Sequence, residues 1–206
     1  MDDDAPENAS DSIRYQGKAV DDDEEIVAFL DAQRSGVLGL ADDGQPHLVT
    51  QLFVYDDEDG AIYLHGAQAG RAYGIVADGG SVDGESAGGD NDDRATVEAC
   101  FTTSEMGRFI PADEPVNFTV EYTSVVAYGE IGLVEDAAAK RGVLERFMAK
   151  FAPHLSAGQD YEEMAEESID RTAVYRLDVE RWSGKHGEKA PEYPGAYDLD
   201  EVAESE

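Results

Sequence analysis

Apolar and polar positions alternate along much of this chain, and breaks in the alternation mark its elements. Ile26, Val27, Phe29 and Leu30 form a helical stripe behind a run of acids at 21–25, the charge that a helix N-terminus favours. Residues 36–41 read as a short strand, Asp42-Asp43-Gly44-Gln45 as a hairpin turn, and 46–55 as a second strand. Another turn at 56–60 leads into a strand at 61–66, which predicts three antiparallel strands in a meander. A helix is expected over about 69–77. Strand patterns resume at 94–103 and across 117–135, the latter long enough for two strands or one bent strand with Gly129 at a bulge.

Ala138, Val143, Leu144, Phe147 and Phe151 fall near one face of a helix over 137–151, which Pro153 ends. A short helix at 161–167 and an alternating strand at 172–181 (Val174, Tyr175, Leu177, Val179) complete the regular part. Three segments lack such patterning. Residues 1–20 read as an acidic mobile arm, 78–93 as an acidic Gly- and Asp-rich surface insertion, and 189–206 as a polar acidic tail. One domain over 21–188 remains, mainly β in the α+β sense: a six- or seven-stranded antiparallel barrel with peripheral helices.

Charge changes the picture. Asp and Glu number 47 against 15 Lys and Arg, a formal net charge of −32, and the acids are dispersed rather than gathered in one block. With 41% hydrophobic residues the chain has material for a core, so disorder throughout is excluded. Dispersed carboxylates of this number suit molar salt, where screening is nearly complete, and point to a salt-accumulating microbe. They disfavour partners such as nucleic acid or an anionic membrane. The one cysteine, Cys100, excludes an internal disulfide and lies in a strand pattern that reads as an inert thiol. No apolar leader or membrane-length run is present in the sequence, so a cytoplasmic protein is expected and the sequons at Asn8 and Asn117 carry little weight.

Candidate chemistry is sparse. There is no phosphate-binding P-loop, no G-x-G-x-x-G, no H-E-x-x-H and no C-x-x-C. The acidic turn before Gly60 would have to begin a calcium loop at Tyr55, which is not a ligand, and the four histidines lack chelate spacing, so no metal is expected. The stretch 61–73 is more informative. A strand ends in His65, small residues follow, and Gly70 with Arg71 stand where a helix begins, an arrangement suited to an anion such as a phosphate. It also suits a plain structural joint. His65 has two readings, a group that donates to a cofactor or shuttles a proton, and a strand-end histidine bonded to backbone. Trp182 likewise reads as a stacking platform for a planar ligand or as a core anchor.

Four stretches carry a resemblance to a known family. They are Gly36-Val-Leu-Gly-Leu followed by Asp43-Gly-Gln-Pro-His-Leu-Val; Phe53-Val-Tyr; Ile62-Tyr-Leu-His-Gly-Ala with Gly70-Arg71; and Tyr122-Thr-Ser-Val-Val-Ala-Tyr-Gly. Together they resemble the pyridoxamine-5′-phosphate-oxidase-like FMN-binding split-barrel family, nearest to its Nim-type nitroimidazole-resistance branch. The resemblance implies a split barrel and a homodimer with FMN at the subunit interface. It places Thr50, Gln51, Leu52 and Phe53 along the isoalloxazine edge through their backbone, and Leu64 and His65 beside the flavin. Gly70 and Arg71 would hold the phosphate, with Ser124 on the phosphate or ribityl end and Trp182 reaching in from the partner subunit. His65 is then the candidate catalytic residue. Ala72 stands where a second basic residue is expected, which argues against pyridoxamine phosphate as substrate. The implied activity is a flavin-dependent oxidoreductase on a small organic molecule; a non-catalytic FMN carrier, or a relative using F420 or haem, are the alternatives.

Overall fold

The computed structural model describes residues 6–79 and 96–199. The insertion expected at 78–93 therefore lies almost wholly outside the described residues. The elements, in chain order, are β1 (Glu7–Asn8), β2 (Ala19–Val20), α1 (Asp23–Ala32), β3 (Ser35–Asp42), β4 (Gln45–Leu52), β5 (Val54–Asp56), β6 (Ala61–Ala67), α2 (Arg71–Ala77), β7 (Thr96–Ile110), β8 (Thr119–Leu133), α3 (Ala137–Phe151), α4 (Glu166–Asp170) and β9 (Thr172–Gly187). The main antiparallel path runs β4-β3-β7-β8-β9-β6-β5, and β1 and β2 add to β9.

Local chemistry explains most boundaries. Asp22 caps α1 by accepting from the Glu24 N–H at 2.9 Å, and Asp136 caps α3 by accepting from the Ala139 N–H at 2.8 Å. Asp43 (φ 49°) and Gly44 (φ 77°) form the two-residue turn joining β3 to β4, both in the left-handed region that this tight hairpin demands.

β4 and β5 are consecutive in the chain yet occupy opposite edges of the sheet, so the chain closes the barrel at Phe53. The expected single strand over 46–55 is thus two, and the expected meander is corrected. β6 pairs with β9 and β5, not with β4. Phe53 is wholly buried at this crossing, with its ring 4.7 Å from that of Phe101.

Inward-facing residues from β3, β6, β7, β8 and β9 fill the barrel, among them Leu38, Leu40, Ile62, Leu64, Phe101, Val125, Ile131, Tyr175 and Leu177. β8 is one long strand, and its pairing with β9 shifts register between Tyr128 and Gly129. The chain approaches so closely there that a Cβ on Gly129 would overlap the Asp178 carbonyl. Glu180 on β9 is the extra residue, so inward positions change from Leu177 and Val179 to Trp182. That break hid the rest of β9, which continues six residues beyond the expected end at Arg181. A second core lies outside the barrel, where Val143 and Phe147 of α3 cover Ala61, Tyr63 and Val174.

Two further expectations are corrected. Residues 6–20 are not a free arm: β1 pairs with Arg181 and Trp182, and Ile13 is buried. The short helix lies at Glu166–Asp170, not 161–167; Tyr161 instead bridges Ala157. Beyond β9, Tyr197 exchanges backbone hydrogen bonds with Phe109. Among the described residues no helix is long and apolar enough to cross a membrane.

Candidate functional site

The residues singled out from sequence separate into three environments. Strand alternation decides which residue goes where.

The first environment is the connection from β6 to α2. Gly70 is the N-cap of α2 with φ 89°, a conformation open to glycine and strained for other residues. Arg71 follows, its side chain 46% exposed, and donates from Nε to Asp42 Oδ2 at 3.1 Å. Its η nitrogens have no hydrogen bond among the described residues, so the two-pronged end of the guanidinium is free for an anion. Asp42 was read from sequence only as a turn residue, and its second role as the partner of Arg71 was missed.

Gln51 belongs near this connection. It pairs with Gly36 on β3, opposite in facing to Thr50, and its amide nitrogen lies 3.9 Å from where a Cβ on Gly66 of β6 would stand. Its Oε1 is buried with no hydrogen-bond partner. An orphaned acceptor in the seam between β4 and β6 is costly unless a donor reaches it, so the seam has the chemistry of a ligand site.

The second environment is the outer face of the sheet. Leu48, Gly39, Cys100, Tyr128 and Arg181 form one cross-strand row, and Thr50, Val37, Thr102, Val126 and Ser183 the next. Ser104, Ser124 and Lys185 continue the pattern. No carboxylate occurs in these rows, although the chain carries 47. Leu48 is 68% exposed, Leu52 48% and Tyr128 38%, so this face shows open apolar side chains beside the cations Arg181 and Lys185. Thr50, Leu52 and Ser124 lie here. Ser124 does not join Arg71 within one chain. Tyr73 of α2 lines a cavity with Leu133, nine residues from Ser124 on β8, roughly 30 Å of strand. One phosphate cannot touch both.

The third environment is the interior, which corrects several expectations. Leu64 is wholly buried inside the barrel, while His65, next in sequence, points to the opposite face under α3. The two side chains therefore do not flank one ligand. His65 meets the Phe147 ring edge-on at 4.6 Å, and burial pushes its pKa below the usual histidine value, favouring the neutral ring. The Phe53 side chain is equally unavailable, since its ring faces Phe101 and Lys150. Trp182, 2% exposed, donates its indole N–H to Asp23 Oδ1 at 3.0 Å and packs on Tyr55. It is a core anchor tying β9 to α1, not a platform offered to a ligand. Among the described residues no cluster of three or more His, Cys, Asp or Glu could hold a metal ion.

A mostly antiparallel barrel, split between two edges and opened at a seam with an unsatisfied acceptor, defines the class as a split β-barrel protein. Residues 22–186 match the family model described as pyridoxamine 5′-phosphate oxidase, and the chain belongs to that family. No curated protein matches it. Among solved structures, the flavocytochrome Anf3 from Azotobacter vinelandii is similar over 97% of this chain and 81% of its own, at 24% identity and TM-score 0.72. A FAD- and haem-binding protein from Mycobacterium smegmatis is similar over 91% and 80%, at 17% identity and TM-score 0.68. A putative 5-nitroimidazole antibiotic resistance protein from Bacteroides thetaiotaomicron is similar over 81% and 85%, at 18% identity and TM-score 0.60. At these identities the likeness is one of fold.

Proposed function

We propose that this chain is an FMN-binding flavoprotein that acts as an oxidoreductase on a small organic molecule. The observation that carries the reading is the orphaned Gln51 Oε1 in the seam beside Gly66. The uracil edge of a flavin carries an imide N–H that would satisfy it. From Gly66 the chain reaches Arg71 in five residues, at most about 18 Å, so one elongated ligand can span seam and guanidinium. Arg71 would hold the phosphate. When bound, the flavin supplies hydride and electron transfer. The protein's share is to bind, orient and shield. The packing of His65 on Phe147 favours its structural reading over the catalytic one.

The open sheet face, with its exposed leucines and tyrosine, supports self-association into a homodimer. Pairing two copies there removes Leu48, Leu52 and Tyr128 from water, and a site shared by two copies accounts for Ser124 lying far from Arg71 in one chain. The names of the Azotobacter and Mycobacterium proteins combine flavin with haem, which supports a flavin here and keeps haem as the alternative cofactor. The Bacteroides name supports a nitro compound as a first substrate to assay. The dispersed acids support a cytoplasmic protein that works in molar salt.

The test is direct. Protein purified in concentrated KCl should be yellow, release FMN on denaturation and be bleached by NAD(P)H when a nitroaromatic is present. A bound flavin with no turnover would assign a carrier role. A colourless preparation that ignores added FMN and FAD overturns the proposal, and a haem or F420 spectrum replaces the cofactor.

A further inference from the structure

The stretch of chain that builds the seam is poor in cations. Residues 35–79 supply β3, β4, β5, β6 and α2, and carry seven carboxylates against a single permanent cation, Arg71. Asp42 Oδ2 lies 3.1 Å from Arg71 Nε, and Asp43 follows it in the same turn at φ 49°. Ala72, next to Arg71 at the start of α2, brings no second charge, and Asp78 is the C-cap of that helix. Lys140 of α3 lines the cavity on which Tyr73 borders, but Glu135 lines it too. Around these groups lies a chain of formal net charge −32.

A phosphate site built from several cations attracts its ligand from a distance, and salt weakens it. Here the long-range field has the opposite sign. A phosphate on the η nitrogens of Arg71 meets a guanidinium whose charge Asp42 already offsets, while the field of the whole chain repels it. The charge-assisted hydrogen bond is made at contact, where salt screens least. Raising salt therefore removes more repulsion than attraction. We propose that the β3–β4 turn makes the flavin site salt-dependent in an inverted sense: its preference for a phosphorylated flavin is weak in dilute salt and grows as salt rises. The inference rests on the reading of Arg71 as the phosphate anchor. Asp42 is the group that sets the sign nearest the ligand. Two phosphate charges about 6 Å from one carboxylate in a water-like dielectric lose roughly tenfold in affinity without screening. At about 1 M salt the Debye length is about 3 Å, and most of that loss is recovered.

The readout is the ratio of two dissociation constants. FMN and riboflavin share the ring and differ by the phosphate, so their ratio cancels any effect of salt on folding or on the seam. Each is titrated into the flavin-free full-length protein by flavin fluorescence between about 0.1 and 1 M KCl, across which the Debye length falls from about 10 to 3 Å. The preference for FMN over riboflavin should grow about threefold or more. Asp42→Asn should raise that preference about threefold in dilute salt and flatten its rise. Should this variant not fold, Asp43→Asn, which suits a left-handed turn position, should act in the same direction. Arg71→Ala should abolish the preference at every salt concentration. A preference that shrinks as salt rises would overturn the inference and leave the flavin reading standing; cations such as Lys185, opposite Ser124, would then dominate the phosphate site. A preference indifferent to salt, or a rise untouched by both Asp42→Asn and Asp43→Asn, would overturn it as well. Failure of both ligands to bind at any salt concentration would instead overturn the flavin reading, and this inference with it.

Discussion

Arg71→Ala separates holding a cofactor from holding the fold. Among the described residues Arg71 has one ionic partner, Asp42, across 3.1 Å, with side chains 46% and 38% exposed. A pair so open to solvent contributes about 0–1 kcal/mol, and less as salt rises. On a bound phosphate the same guanidinium would make charge-assisted hydrogen bonds, each about 1.5–3 kcal/mol, or roughly 10- to 150-fold in affinity. The substitution should therefore weaken FMN binding by that factor while leaving the urea midpoint almost unmoved. Asp42→Asn should do the reverse, since it removes a carboxylate that competes with the phosphate for Arg71. FMN titration of the apoprotein by flavin fluorescence, beside urea denaturation, reads both quantities. Unchanged affinity in Arg71→Ala refutes the phosphate role. A loss of stability above about 2 kcal/mol with binding intact makes Arg71 structural instead.

Trp182→Phe removes the indole donor to Asp23 and leaves a gap beside Tyr55, and should lower stability by about 1–3 kcal/mol in urea denaturation with the flavin spectrum unaltered. Loss of flavin at unchanged stability would restore the stacking role. Glu121 accepts hydrogen bonds from Arg108 and from the Lys189 amide, which hold its carboxyl at about 2 against an ordinary 4.5. A depressed carboxyl adds stability that is complete above its unfolded value and is lost as pH falls from there toward about 2. Glu121→Gln should therefore flatten that part of the acid unfolding curve, and an unaltered curve between pH 4.5 and 2 would reject the linkage. Leu48→Asp places a carboxylate on the apolar edge of the proposed dimer face, at a position 68% exposed in one chain, and sedimentation should find monomers under conditions in which the parent sediments as a dimer. Equal mass for the two proteins would mean that this face is not the interface.

Periodicity disclosed what is local. Strand β3, helix α3 and the Asp43-Gly44 turn were readable because each is set by residues adjacent in sequence, and Gly129 marked a bulge although its neighbour there, Asp178, is distant in the chain. Facing was readable in principle as well. Leu64 and His65 are consecutive in a strand, so they had to point to opposite sides, and a resemblance that placed both beside one flavin could not hold for their side chains. Pairing was not readable. That β4 and β5 form opposite edges depends on β6 choosing β9, a partner more than a hundred residues away. Nor was the fate of Trp182, which turns inward only because Glu180 is inserted as a bulge.

Phe53 shows why the seam escapes a reading of the sequence. As one alternating strand, 46–55 would keep Gln51 and Phe53 facing alike and expose nothing unusual. Because the chain leaves β4 at Leu52 and enters β5 at Val54, Phe53 becomes the plug between two sheet edges and is buried completely. Gln51, just before the crossing, is then carried to Gly66 with its oxygen enclosed and unpartnered. Closure of the barrel and creation of an unsatisfied acceptor are thus one event. A packed aromatic rigidifies the crossing, and rigidity keeps the acceptor from turning to water for its donor. The site is prepared by the same residue that completes the core.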